Sequence, residues 1–185
     1  MLYAVVSATL SDNISQFSVH DTDSEVADYA LEIVCTNCRE KHDSLVVMNR
    51  LEKYDMNHGK GEASLVMKCK FCGNQCTVNL EKMEEKLYNL DVDGNGEAVE
   101  KVKLQRKKQG IKKVDSSKAI VLALDCRGCE VTGLDFSNLS FDVQLTSGNT
   151  MQATFEDENE WYDYDDNSAE EVSIVDLQFE LVNGK

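Results

Sequence analysis

"LALDCRGCEV", residues 122–131, runs an apolar alternation straight into Cys126 and Cys129, spaced as Cys-x-x-Cys. Alternation at period two marks a strand with one face buried. The same pattern recurs in both directions. Before it come LYAVVSATL (2–10), DYALEIVC (28–35), SLVVM (44–48), ASLVMKC (63–69) and CTVNL (76–80). AIVLALDC (119–126) overlaps it, and FDVQL (141–145), TMQATF (150–155) and VSIVDLQFEL (172–181) follow. Short strands broken by Gly, Asn and Asp predict a mainly β protein. The best helix candidate is LEKMEEKLYNL (80–90), although its charges leave little apolar face.

Two further pairs, Cys35/Cys38 and Cys69/Cys72, lie upstream. In each part of the chain a strand enters a Cys-x-x-Cys turn, and a Gly-led strand follows after a gap: GEASLVMKC first, GNTMQATFE later. This predicts two pseudo-symmetric β-rich halves. Residues 1–90 form the half with the zinc knuckles, and residues 119–185 form a metal-free half with an acidic loop. Residues 91–118, rich in Gly and Lys, read as a basic linker, mobile or a solvated helix. Superposing the halves on these strands puts Glu156 at the place of Cys69 and Asn159 at the place of Cys72. Cys126/Cys129 then reads as the surviving half of a duplicated metal site.

The chain has 185 residues, 42% hydrophobic and 29% charged, enough for a real core in one compact domain or two small ones. Seven cysteines, six of them in pairs, suit metal binding in a reducing compartment better than a disulfide framework. The start, MLYAVVSATLSDNIS, alternates and lacks a basic n-region, so it reads as a strand rather than a signal peptide. No stretch approaches the roughly 20 apolar residues of a membrane span. The expected location is cytosol or nucleus. A net charge of −15 disfavours nucleic acid and anionic membranes and favours a basic protein partner. The expected oligomeric state is a monomer.

Cys35, Cys38, Cys69 and Cys72 form C-x2-C-x30-C-x2-C. A Cys-x-x-Cys turn aims two thiolates at one point, and two such turns make the four-sulfur environment that Zn2+ accepts. Gly73, directly after Cys72, suits a turn that needs positive φ. Lys68 and Lys70 can offset the charge of a zinc–tetrathiolate centre. Four thiolates leave no open position for substrate, so the expected role is structural and the protein is expected not to be an enzyme. Cys76 reads as a buried or half-buried strand thiol.

Other signals are weaker. Asp91, Asp93, Asn95 and Gly96 start like an EF-hand, but Val102 stands where the bidentate Glu belongs. The basic residues Lys101 to Lys113 have no interleaved aromatic for base stacking, so they read as a solvated linker. FEDENEWYDYDDNSAEE (155–171) carries nine acidic residues and no basic ones. It reads as an exposed loop anchored by Trp161, Tyr162 and Tyr164 packing inward, or as a docking surface for a basic partner. His20, His42 and His58 are scattered; His42 lies near enough to Cys38 in sequence to compete as a ligand.

The combination of CTNC, GKGEASLVMKCKFC, DCRG and EWYDYDDNSAEEVSI resembles the eukaryotic CXXC-motif-containing zinc-binding proteins, an uncharacterised protein family. The similarity spans nearly the whole chain except the basic linker. Trp161, Asp163, Tyr164 and Asp165 supply its most specific element. The resemblance implies a mainly β protein of two pseudo-symmetric halves, zinc on Cys35, Cys38, Cys69 and Cys72, and no enzymatic activity. Family members often keep only the first cysteine of the CRG element, so Cys129 and the long linker are departures. The expected function is therefore a non-enzymatic protein with a structural four-cysteine zinc, acting through protein contacts. The alternatives are a thiol-redox or metallochaperone protein using Cys126/Cys129, and a nucleic-acid-binding zinc ribbon.

Overall fold

In the computed structural model, which describes residues 1–56, 61–83, 85–156 and 158–184, the chain is mainly β, its strands antiparallel, with one helix among the described residues. They are β1 Leu2–Leu10, β2 Ile14–Val19, β3 Tyr29–Cys35, β4 Val46–Met48, β5 Tyr54–Asp55, β6 Glu62–Ala63, β7 Leu65–Lys68, β8 Gln75–Lys82 and β9 Leu87–Tyr88. After the helix α1, Asn95–Gln109, come β10 Ala119–Arg127, β11 Cys129–Asp135, β12 Ser140–Leu145, β13 Thr150–Thr154, β14 Trp161–Asp165 and β15 Glu170–Asn183.

A six-stranded sheet runs β14-β15-β1-β10-β8-β7; a three-stranded sheet runs β11-β3-β4; a four-stranded sheet runs β13-β12-β2-β9; β5 and β6 form a small hairpin. The order of the large sheet maps onto itself when β1 is exchanged with β10, β15 with β8 and β14 with β7. The same exchange carries the β3·β11 pair onto β12·β2, and β3·β4 onto β12·β13. Two pseudo-symmetric halves are thus real, and each completes its neighbour's sheets. The partner of β3 is β12, however, not the strand entering Cys126. The superposition of Cys126/Cys129 on Cys35/Cys38, with Glu156 and Asn159 facing Cys69 and Cys72, is corrected accordingly.

Alternation explains the core. Along β3, Tyr29, Leu31, Ile33 and Cys35 are buried while Glu32 and Val34 are only half covered. Phe17 of β2 and Phe141 of β12 stack at 4.8 Å within the four-stranded sheet, and Phe155 meets Phe141 edge-on at 5.4 Å. Phe179 of β15 in the large sheet lies 6.3 Å from Phe141, joining the two sheets. Fully burying side chains of this size stabilises the fold by about 1.5–3 kcal/mol each.

Among the described residues of 80–90 the expected helix is absent. β8 continues through Lys82 in register with Leu122 of β10, and Leu87 pairs with Phe17 to begin β9. Leu80 and Leu87 each find a sheet position, which a helix with so little apolar face could not match. The helix lies instead within the basic segment. It buries only Val99 and Arg106, with Asn95, Ala98 and Val102 half-buried beside them and the rest of it exposed. Arg106, expected to be solvated, is buried: Nε and Nη2 donate to the Glu85 carboxylate, Nη1 to the Asp115 carbonyl and Nη2 to that of Lys118. Asn95, a candidate calcium ligand, instead donates to the carbonyls of Ser15 and Asn89.

Candidate metal centre

Cys35 closes β3, and the backbone turns back at once: the Arg39 N–H donates to the Cys35 carbonyl, 3.0 Å, with Arg39 at φ 63°. Cys69 follows β7 into the same turn, the Gly73 N–H donating to the Cys69 carbonyl, 2.8 Å, with Gly73 at φ 73°. Each turn brings its two thiols to one side. The Sγ atoms of Cys35 and Cys72 stand 3.7 Å apart, those of Cys38 and Cys69 3.6 Å apart, and all four lie within 4.8 Å of one another. Tetrahedral zinc with bonds of ~2.3 Å needs sulfurs about 3.8 Å apart, so the four thiols fit one metal ion. Zinc, when bound there, supplies a fixed tetrahedral junction between the two turns.

Local hydrogen bonds already favour thiolate. The Cys38 N–H, joined by that of Asn37 and the Asn74 side chain, lowers Cys35 to about 6. The Asn37 side chain and the Asn74 N–H lower Cys72. At Cys38 the Glu40 N–H pulls downward, but burial and the neighbouring thiols outweigh it and the group is raised. A divalent cation among the four sulfurs removes the repulsion that keeps the last thiols protonated. The recess beside the sulfurs, lined by Ile33 and Met67 among others, has room for about 10 Å3, at most one water.

The third cysteine pair has a different job. The β10–β11 turn crosses the gap between the knuckles, and the Gly128 carbonyl accepts from Thr36 N–H (3.2 Å), Asn74 Nδ2 (2.9 Å) and Cys76 Sγ (3.3 Å). Asn74 Nδ2 also points at Cys35 Sγ, 3.7 Å away. Only glycine fits: φ is +72°, and a Cβ at residue 128 would stand 2.1 Å from the Gln75 carbonyl oxygen. Cys129 is buried and donates to the Thr77 carbonyl; burial, with Cys126 and Cys76 nearby, pushes it up to about 12. Burial pushes Cys126 up to about 11 and also raises Cys76, which is buried as expected. The turn is a strap across the metal centre, with its cysteines in the packing.

The pseudo-twofold supplies its counterpart. In the other half the β1–β2 turn presents the Asn13 carbonyl to the Thr146 N–H, as Gly128 does to Thr36. The Ala169 N–H donates to the Asp165 carbonyl, 2.8 Å, with Ala169 at φ 56°, as Gly73 does to Cys69. Asp165 therefore takes the place of Cys69, and Ser168 that of Cys72. The Asp165 side chain, 1% exposed, accepts from Ser147 Oγ (2.7 Å), Ser168 Oγ (2.9 Å), Asn149 Nδ2 (3.2 Å) and the Asn167 N–H (3.1 Å). Those donors, Ser147 first, hold its carboxyl down at about 2. One carboxylate ties the two turns that a metal would tie in the first half. The WYDYD element is anchored by Asp165 and by Trp161, which is half-buried against the core, while Tyr162 and Tyr164, expected to pack inward, are 66% and 48% exposed; the stretch is strand β14 with its hairpin rather than a loop.

His42 hydrogen-bonds to the Ser44 carbonyl, 2.9 Å, rather than joining the sulfurs. His20 sits between Asp142 and Glu25, and His58 lies outside the described residues. Lys70 pairs with Asp43 and lies 5.5 Å from the Phe71 ring.

Fold and site together define a class: mainly β proteins whose two knuckles bring four cysteines to one metal position. The chain belongs to the eukaryotic family of CXXC motif containing zinc binding proteins, whose sequence profile matches residues 4–182. It is 43% identical over 184 residues, 100% of this chain and 99% of the other, to UPF0587 protein YCR090C of Saccharomyces cerevisiae. It is 24% identical over 154 residues, 82% and 81% of the two chains, to the human CXXC motif containing zinc binding protein. Its fold matches the crystal structure of C1orf123 at TM-score 0.72 and 19% identity, covering 98% of both chains. A hypothetical protein from Plasmodium falciparum matches at TM-score 0.71 and 15% identity, again over 98% of both. Zinc is accordingly the metal this family binds.

Proposed function

We propose that the protein is a non-enzymatic zinc protein in which Cys35, Cys38, Cys69 and Cys72 ligate one structural ion and the braced surface works through protein contacts. The observation that carries this reading is the convergence of four thiols within 4.8 Å, strapped by Gly128 and beside a recess too small for a substrate. A tetrathiolate sphere is closed, which leaves no site for an activated water. The remaining cysteines are buried or raised above the ordinary thiol range, which disfavours nucleophilic or redox use. The basic helix offers no aromatic platform and spends Arg106 internally, which disfavours nucleic acid.

Stripping the metal with a strong chelator tests the structural role. Amide exchange in residues 28–80 should quicken markedly at both knuckles, while β12, β14 and β15 around Asp165 keep their protection. Unchanged exchange at the knuckles after verified metal loss would refute it.

A further inference from the structure

The two ends of the large sheet are related by the pseudo-twofold yet chemically opposite. At one end β7 is four residues long and runs into Lys68, the second knuckle and Lys70. Short length and lysine are the usual protection of a sheet edge. At the other end β14, Trp-Tyr-Asp-Tyr-Asp, is as short at five residues but carries no lysine, and the charges along it are acidic. It pairs with β15 on one side, and among the described residues no strand pairs with the other. The Tyr164 N–H donates to its neighbour's carboxylate, Asp163 Oδ1, at 2.8 Å, so it points away from β15; Tyr162 shares its orientation by the two-residue alternation. Both tyrosine side chains are exposed, and Glu160, Asp163, Glu170 and Glu171 lie exposed along the same hairpin.

We infer that the outer edge of β14 takes an extended, arginine- or lysine-rich segment of a partner protein as an added strand, a claim that rests on the protein acting through contacts. The backbone groups of Tyr162 and Tyr164 supply the ladder. A partner carbonyl displaces Asp163 from the Tyr164 N–H, and the partner's cations on the tyrosine face meet Glu171, opposite Tyr164, and Glu160, bonded to the Tyr162 hydroxyl. Alternate partner side chains reach the tyrosine rings, where a guanidinium gains a cation–π contact. Charge selects this occupant over the others. A second copy's β14 would set acid against acid. The chain's own basic stretch is wound in α1 and fixed at Arg106, so it cannot supply the strand.

The zinc-loaded full chain should be titrated with the synthetic peptide TRVRTRV, with a glutamate-for-arginine version, and with a version carrying proline at alternate positions. Binding should persist at ~150 mM salt, where diffuse surface attraction is screened. It should protect the Tyr162 and Tyr164 amides from exchange, and both control peptides should fail. Tyr162→Ala with Tyr164→Ala should weaken binding about tenfold or more, the loss expected for central anchors. Thermal stability should stay nearly unchanged, since both rings are exposed. No binding up to about 1 mM peptide, equal binding of the proline peptide, or indifference to the tyrosine substitutions would each overturn the inference. Such a failure leaves the chelation result standing, whereas unchanged exchange after metal removal sinks the structural-zinc reading whatever the peptide does.

Discussion

Asp165 and Cys69 occupy equivalent turns, and the difference between them is the chemistry of one side chain. A thiolate needs a cation to collect its neighbours; a carboxylate collects hydroxyl, amide and backbone donors by itself. The pH dependence follows. Asp165 is depressed to about 2 from an ordinary 3.8, so its contribution is present above about 4 and lost as pH falls toward 2. Asp165→Asn should lower the thermal midpoint by about 5 °C or more at neutral pH. The gap to the parent protein should close as the pH drops through that window. A gap independent of pH would show that the charge is not what ties the turns. His20 works in the other direction. Asp142, with Glu25, raises it above 6.5, so its contribution is complete below that value and fades as pH rises through the raised pKa. Four cysteines were legible because spacing alone identifies them. Asp165 stands out in the sequence only as part of the family-like Trp161–Asp165 element; its part in tying the turns was not legible, since it is one of many acids and only the Ala169 turn marks that role.

At the level of elements, strands with clean alternation were legible: β1 and β3 fall where the pattern places them. β14 was hidden because its fully buried residue, Asp165, is charged while Tyr162 and Tyr164 point outward, which breaks the usual alternation despite the inward Trp161. β11 was hidden by the register shift between Val131 and Gly133. The segment 80–90 failed for another reason: Glu85 looked like a solvent-facing helix residue but is half of a buried ion pair, 5% exposed, that also accepts the Ile120 N–H. That pair fixes α1 to the sheet. Arg106→Met leaves the Glu85 carboxylate buried without its partner, which should cost about 3–5 kcal/mol of unfolding free energy in urea titration. Pairing it with Glu85→Met should recover part of the loss. A single-variant cost below about 1 kcal/mol would mean that α1 is not anchored through this contact.

For the molecule as a whole, the pseudo-twofold was anticipated but its register was not. Strand–turn patterns look alike along the chain, and only strand pairing shows that β3 answers to β12 and that Cys126/Cys129 answers to the Ser11–Asn13 turn. One architecture is then fastened in two ways, by a hydrogen-bonded carboxylate in one half and, as proposed, by metal on four thiols in the other. Zinc K-edge absorption on the purified, reduced protein tests the metal half directly. The account predicts one zinc per chain with four sulfur neighbours at ~2.3 Å and no oxygen or nitrogen ligand. A mixed shell with an open position, or no stoichiometric zinc, would contradict it.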